Sequence, residues 1–144
     1  MERNELIWVL RRNLLLKLSL YEEAHAVDAR EITDTKGKWW VGYSTKDFTP
    51  LGRETCFDLN VIKNICYLLH IQLEEKFRGR GFGWNLYEAI HAFSKDVGCK
   101  IVRQTPSGGP IIDGKRTESR RDYLLRRGYV PFGEHEVELR LQER

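Results

Sequence analysis

Three glycines alternate with charged and aromatic residues in one short segment of this 144-residue chain, and we call residues 78–84 the glycine segment. Its sequence is Arg78, Gly79, Arg80, Gly81, Phe82, Gly83, Trp84. Glycine lets the backbone approach a ligand closely, and the free N–H groups at the start of a helix favour an anion. The segment therefore predicts a binding site for a phosphate-bearing cofactor.

Three better-known glycine motifs do not fit the segment. A P-loop ends in Gly-Lys-Ser or Gly-Lys-Thr, and neither follows here. A dinucleotide fingerprint has the spacing G-x-G-x-x-G with an acidic residue at the end of the next strand, whereas Asp96 falls at the end of a helical pattern. An RNA-binding Arg-Gly segment is a longer array without a helix after it. All three kinds of site are set aside.

Hydrophobic periodicity predicts the elements that must position the segment. A central strand is predicted over residues 65–73, because apolar residues lie on both of its faces. The helix after the segment ends at Gly98 and is predicted to bury Leu86, Ile90, Phe93 and Val97. Other predicted strands are residues 38–43, 54–61, 99–103 and 130–141. Another helix is predicted over residues 5–29, either continuous or broken near Ser19. A further helix is capped by Thr117 or Ser119 and ends at Arg127, and it follows a predicted loop over residues 105–115.

Composition favours one globular domain over residues 1–144. The chain is 41% hydrophobic and 31% charged, and its apolar runs are too short to span a bilayer. Acidic residues stand where a signal peptide needs a basic region, so the cytoplasm is the expected compartment. Its three cysteines are interpreted as buried free thiols, not as disulfides or metal ligands. The net charge of +3, concentrated in arginine pairs, favours an anionic partner.

The glycine segment and its surroundings resemble a known family. The segment has the form [Gln/Arg]-x-x-Gly-x-[Gly/Ala], and with residues 71–77 it is similar to the cofactor motif of the GCN5-related N-acetyltransferase (GNAT) family. Residues 123–129, which end in Gly-Tyr, resemble the late helix of that family, and residues 136–141 resemble the strand after it. The resemblance covers residues 56–141. It implies an α+β fold (three-layer α/β/α) with a mixed, mostly antiparallel sheet and helices on both faces.

The resemblance also implies acetyl-coenzyme A as cosubstrate. The pyrophosphate would lie on the backbone N–H groups of Gly79, Arg80, Gly81, Phe82, Gly83 and Trp84, and the Arg78 side chain would add positive charge. The pantetheine arm would pair with the backbone of Ile71, Gln72 and Leu73 in the manner of an added strand.

The catalytic residues that the resemblance implies are His70, Tyr67 and Tyr123. Histidine suits a general base by its pKa, but strand alternation puts Tyr67 and Leu69 on the acceptor face and His70 on the other, unless a β-bulge reverses the order. Tyr123 stands one residue before the position at which relatives carry a tyrosine acid, so either the helix register shifts or Tyr123 is a core residue. Weaker candidates are Glu54, Asp58, Glu74 and Glu75.

The implied function is acetyl transfer to a primary amine of a small molecule or protein. Two alternatives stay open: a non-catalytic acyl-coenzyme A-binding module, and a nucleic-acid-directed modifier whose arginine pairs hold phosphates. Nucleic acid is the less favoured partner, and no membrane is expected. The N-terminal region looks one strand short, so a second copy of the chain is a possible partner, in a homodimer.

Overall fold

The structure, a computed structural model, describes residues 2–17, 26–33, 36–44, 55–71, 82–106, 111–112, 115–116 and 118–141. These residues form three helices and nine strands. In chain order they are α1 (Arg3–Lys17), β1 (Ala26–Glu31), β2 (Lys38–Ser44), β3 (Thr55–Asn60), β4 (Ile65–His70), α2 (Phe82–Asp96), β5 (Ile101–Gln104), β6 (Ile111–Ile112), β7 (Lys115–Arg116), α3 (Arg120–Arg126), β8 (Val130–Phe132) and β9 (Glu136–Arg140).

Seven of these strands form one sheet in the order β1-β2-β3-β4-β5-β9-β8. The pair β4–β5 is parallel, with α2 between the two strands in the chain, and the other neighbouring strands are antiparallel. Strands β6 and β7 form a separate two-stranded ribbon. The predicted α+β class and the mixed, mostly antiparallel sheet are therefore confirmed.

One face of the sheet carries the core and packs against α1 and α2. Phe57, Cys66 and Val102 on this face are completely buried. Helix α2 contributes the predicted apolar face, and the ring of Phe93 lies 5.3 Å from the ring of Phe57. The buried residues of this face are Leu86, Ala89, Ile90 and Phe93, and Val97 directly after the helix is also buried. A helical layer on the opposite face stays a prediction.

The prediction of a helix over residues 5–29 is confirmed for the part that lies in α1 and is wrong for residues 26–29. These residues belong to β1, an edge strand paired with β2, and residues 18–25 lie outside the described residues. In β1, Ala29 is fully buried, whereas its neighbours Asp28 and Arg30 form an ion pair. This alternation is that of a half-buried strand. The homodimer was predicted because the N-terminal region looked one strand short. Strand β1 supplies a strand there, so that reason no longer holds, and the oligomeric state stays a prediction.

Two C-terminal expectations needed revision. The predicted loop over residues 105–115 contains part of the β6–β7 ribbon. The predicted strand over residues 130–141 is a hairpin, in which β8 and β9 meet around Gly133 with φ at +71°. The other predicted strands form as β2, β3 and β5, and the late helix forms as α3 with Ser119 as its N-cap.

Two of the three cysteines have described side chains, and both are buried free thiols, as predicted. Cys66 and Cys99 are buried free thiols, and burial raises the pKa of both, that of Cys99 to about 12. The side chain of Cys56 lies outside the described residues. Within the described ranges, no helix is both long and apolar enough to cross a membrane.

Candidate functional site

The parallel strands β4 and β5 separate at their carboxyl ends. Their register runs from the pair Ile65 and Ile101 to the pair Leu68 and Gln104, where β5 ends. Strand β4 continues to His70, and on its β5 side these last residues lie beside no described strand. We call this opening, formed by residues 68–71 and 104–105, the β4–β5 fork. An open strand edge of this kind can pair with an extended amide chain.

A β-bulge in β4 changes which residues share a face at the fork. Two consecutive residues of β3 pair with Leu68 and His70, so Leu69 is the extra residue. Leu68 is buried in the core, whereas Leu69 is 42% exposed. Because the bulge reverses the alternation beyond Leu68, His70 takes the same face as Tyr67. Strict alternation would place Tyr67 and His70 on opposite faces. The sequence analysis required a β-bulge to put them on the same face, and the structure contains that bulge.

Tyr67 connects β4 to the residue that follows β5. The Tyr67 hydroxyl and Thr105 Oγ1 form a hydrogen bond of 2.6 Å, in which either oxygen can be the donor. The Tyr67 side chain is half-buried and that of His70 is exposed. Both side chains are therefore accessible at the fork, on the face away from α2.

A buried polar network braces the other side of the fork. The Tyr87 hydroxyl of α2 donates to Gln104 Oε1 at 3.0 Å, and Arg120 Nη1 donates to the Tyr87 oxygen at 3.1 Å. Burial raises the pKa of Tyr87, so its hydroxyl keeps the proton that it donates. Arg120 Nε is buried and has no hydrogen-bond partner in the part of the chain that the structure describes. The network ties the end of β5 to α2 and to the start of α3.

An aromatic cluster lies at the first turn of α2. The Trp84 ring stacks on Tyr87 with 5.6 Å between centroids, and it meets Tyr123 edge-on at 6.2 Å. The Arg127 guanidinium lies 4.9 Å from the Trp84 centroid and 4.7 Å from that of Tyr123. Such cation–π contacts stabilise the positions of both partners. The cluster holds a cation beside the start of α2.

Helix α3 presents consecutive residues to different surroundings. Leu124 is completely buried in the core, and Tyr123 is half-buried in the aromatic cluster. Burial raises the pKa of Tyr123, and the nearby Arg127 and Arg120 partly oppose that shift. Tyr123 therefore packs against Trp84 and Tyr87, and its role as an acid stays a prediction.

The start of α2 suits an anion. Its first turn contains no acidic residue, and the first N–H groups of a helix have no partner within the helix. Four of the predicted cofactor-binding residues are described: Ile71, Phe82, Gly83 and Trp84. For Phe82 and Gly83 only the backbone is described. The others lie outside the described residues: Gln72, Leu73, Arg78, Gly79, Arg80 and Gly81. Their binding role stays a prediction.

The sequence analysis missed Tyr87 and Arg120, which support the end of β5, and Arg127, which packs on the aromatic cluster. It also did not assign a role to Gln104. One signal was available, since Gln104 is a polar residue at the inward position of a buried strand, two residues after Val102. A buried amide needs hydrogen-bond partners. The identity of those partners depends on the packing of α2 and α3.

A half-buried histidine beside the network predicts acid sensitivity. His91 Nε2 lies 2.6 Å from the Tyr129 hydroxyl, and burial lowers the pKa of His91 from 6.5 to about 4. Above pH 6.5 the ring is neutral in both states, but between pH 6.5 and about 4 the unfolded chain binds a proton that the folded protein excludes. We expect this linkage to remove up to about 3 kcal/mol of stability as the pH falls through that window.

Urea unfolding at several pH values checks this expectation. His91→Gln, which does not titrate, should flatten the profile between pH 6.5 and 4 relative to the unmodified protein. His135→Gln is the matched control, because the side chain of His135 is 81% exposed. Equal slopes for the unmodified protein and His91→Gln would contradict the assignment.

Comparisons with known proteins give a likeness in structure but none in sequence. No protein-family model matches the chain, and no curated protein is significantly similar to it. A solved structure of an acetyltransferase from Bacillus cereus ATCC 14579 is similar, with 14% sequence identity and a TM-score of 0.43. The alignment covers 93% of this chain and 86% of that chain. A likeness of this size does not establish a shared family or activity.

Proposed function

We propose that this protein is an acetyl-coenzyme A-dependent N-acetyltransferase that acts on a primary amine. The observation that carries the proposal is the unit β4–glycine segment–α2–β5, in which two parallel strands separate at Gln104 and a helix begins at Phe82, within the glycine segment. An open strand edge beside a helix N-terminus matches a ligand that has a chain of amides and a pyrophosphate. Coenzyme A has both.

The residues present fit that ligand. The edge of β4 at Ile71, with Gln72 and Leu73 after it, offers backbone groups to an amide chain. The first turn of α2 has no carboxylate to repel a phosphate, and Arg127 lies beside Trp84 in that turn. The N–H groups of residues 79–84 would hold the pyrophosphate. When bound, acetyl-coenzyme A supplies an activated acetyl thioester.

The side chains beside the fork and in the aromatic cluster have separate tasks in this proposal. An alkyl amine has a pKa near 10.4, so only about one molecule in a few thousand is neutral at pH 7. His70 accepts the proton that the ammonium loses, and Tyr67, on the same face, orients the neutral nitrogen. Tyr123 keeps its proton because burial raises its pKa, and it provides that proton to the departing sulfur. The amine nitrogen thereby gains the acetyl group as the carbon–sulfur bond breaks.

Calorimetric titration with acetyl-coenzyme A tests the cofactor, and thiol release across a panel of amines tests the transfer. Binding together with thiol release supports the proposal. Binding without release by any amine would favour the non-catalytic module. No binding at millimolar cofactor would overturn both ideas, and salt-dependent binding of RNA or DNA in that case would favour the nucleic-acid alternative.

Tyr123→Phe separates catalysis from packing. We expect the variant to bind acetyl-coenzyme A with unchanged affinity and to turn over at least about tenfold more slowly, since a positioned acid contributes about 10²–10⁴ to rate. The ring contacts with Trp84 and Tyr87 remain in this variant, so its unfolding midpoint in urea serves as the control. An unchanged kcat would assign Tyr123 to packing alone.

A further inference from the structure

A row of cross-strand neighbours crosses the face of the sheet opposite Phe57 and Cys66. Asp58 on β3 pairs with Trp40 on β2 and with Tyr67 on β4. All three side chains are half-buried. Directly opposed residues of antiparallel strands have Cβ atoms about 4.5–5.5 Å apart, so the carboxylate stands between two aromatic side chains.

The other charges in this row already have partners. Arg30, opposite Trp40, bonds to Asp28 at 3.0 Å, and Arg103, opposite Tyr67, bonds to Glu138 at 3.0 Å. Asp58 has no ion pair and no side-chain hydrogen bond with any described residue. Arg30 and Arg103 are therefore occupied by other carboxylates.

The surroundings of Asp58 favour a cation. Burial raises the pKa of this carboxyl, and the charge of Lys38 opposes that shift only in part. A carboxylate partly removed from water is stabilised by an opposite charge, and the faces of Trp and Tyr rings also attract cations. A positively charged group above Asp58 would gain from all three side chains.

The row leads to the fork at a measurable spacing. Asp58 lies two residues along β3 from Cys56, the register partner of His70, which is about 7 Å at 3.3 Å per residue. Neighbouring strands are about 4.8 Å apart, so the backbone positions of Asp58 and His70 are about 8 Å apart. The Tyr67 hydroxyl reaches Thr105 at the end of β5. An aliphatic chain of roughly four to six carbons, with bonds of about 1.5 Å, spans the distance from Asp58 to His70.

We propose that Asp58, Trp40 and Tyr67 form a subsite for a second, non-reacting ammonium group of the acceptor. The acceptor is then an aliphatic diamine or polyamine, with one amine held at Asp58 while the other reaches His70 at the fork. The reaction at the fork rests on the proposed function, whereas the subsite requires only that Asp58 binds a cation.

Three probes of similar length test the subsite: 1,5-diaminopentane, 1-aminopentane and the uncharged 1,5-pentanediol. Binding is measured by calorimetry and by NMR shifts, with and without coenzyme A. We expect the diamine to bind at least tenfold more tightly than the diol, because only the diamine carries an ammonium group for Asp58. Equal affinities for the diamine and the diol would overturn the subsite, and this comparison needs no substitution. In thiol release the diamine should have a kcat/KM at least tenfold higher than 1-aminopentane, whose single amine cannot occupy Asp58 and the fork at once, and equal values would overturn the diamine acceptor.

Asp58→Asn should weaken diamine binding at least tenfold and leave the affinities for 1,5-pentanediol and acetyl-coenzyme A unchanged. The matched control is Glu134→Gln, which removes an exposed carboxylate from the β8–β9 turn and should change none of these affinities. An Asp58→Asn variant that binds the diamine as well as the unmodified protein does would also overturn the subsite. Diamine selectivity without acetyl-coenzyme A binding would retain the subsite and refute the proposed function, so the two failures are distinguishable.

Discussion

Gly81→Glu is expected to weaken acetyl-coenzyme A binding at least about 100-fold while the protein stays folded. The substitution puts a side chain and a negative charge where the proposed site takes a pyrophosphate. Like charges brought together at a binding site cost several kcal/mol, and each 1.4 kcal/mol is a factor of ten in affinity. A carboxylate next to the start of α2 would also take the position that favours an anionic ligand.

Calorimetry with acetyl-coenzyme A measures this loss, and circular dichroism checks the fold. Thr33→Glu is the matched control, because it adds the same charge at an exposed position in the turn between β1 and β2. The control should bind the cofactor as tightly as the unmodified protein does. Retained affinity in Gly81→Glu would refute the assignment of the glycine segment.

Phe93→Ala is expected to lower the free energy of unfolding by about 3–5 kcal/mol. Phe93 is completely buried, and its ring packs on Phe57, which is also completely buried. The substitution removes apolar surface from the core and leaves a cavity between α2 and the sheet. Because this contact holds α2 against β3, the loss weakens the attachment of the helix that carries Trp84 and Tyr87.

Urea unfolding measures the change in stability. Ile62→Ala is the comparison variant, because Ile62 is 70% exposed and its truncation should cost less than about 0.5 kcal/mol. A similar cost for the two substitutions would show that α2 does not anchor on this face of the sheet. If Phe93→Ala stays folded, its affinity for acetyl-coenzyme A should fall with the stability of α2.

Local patterns were enough to predict much of the fold. The apolar face of α2 and the left-handed turn at Gly98, with φ at +92°, follow from residue spacing and from the freedom of glycine. The capping of α3 by Ser119 follows from its side-chain oxygen, which accepts a hydrogen bond from Asp122 N at 3.0 Å. These features depend on residues within a few positions of one another.

The assignment of β1 shows where local patterns end. Residues 26–29 were predicted as the end of a helix, yet they belong to an edge strand. The strand exists because Ala29 pairs with Val41 and is buried beneath α1. A pairing partner more than ten residues away overrides a weak local preference.

The sequence by itself predicted a candidate anion site at the glycine segment and the buried positions of the helices and central strands. It could do so because glycine geometry and hydrophobic periodicity depend on residues within a few positions of one another. Only the tertiary structure decided which side chains meet. The bulge at Leu69 puts His70 on the face of Tyr67, and the strand register puts Asp58 between Trp40 and Tyr67. Register and bulges depend on hydrogen bonds between strands that are distant in the chain, and a shift of one residue moves every side chain to the other face.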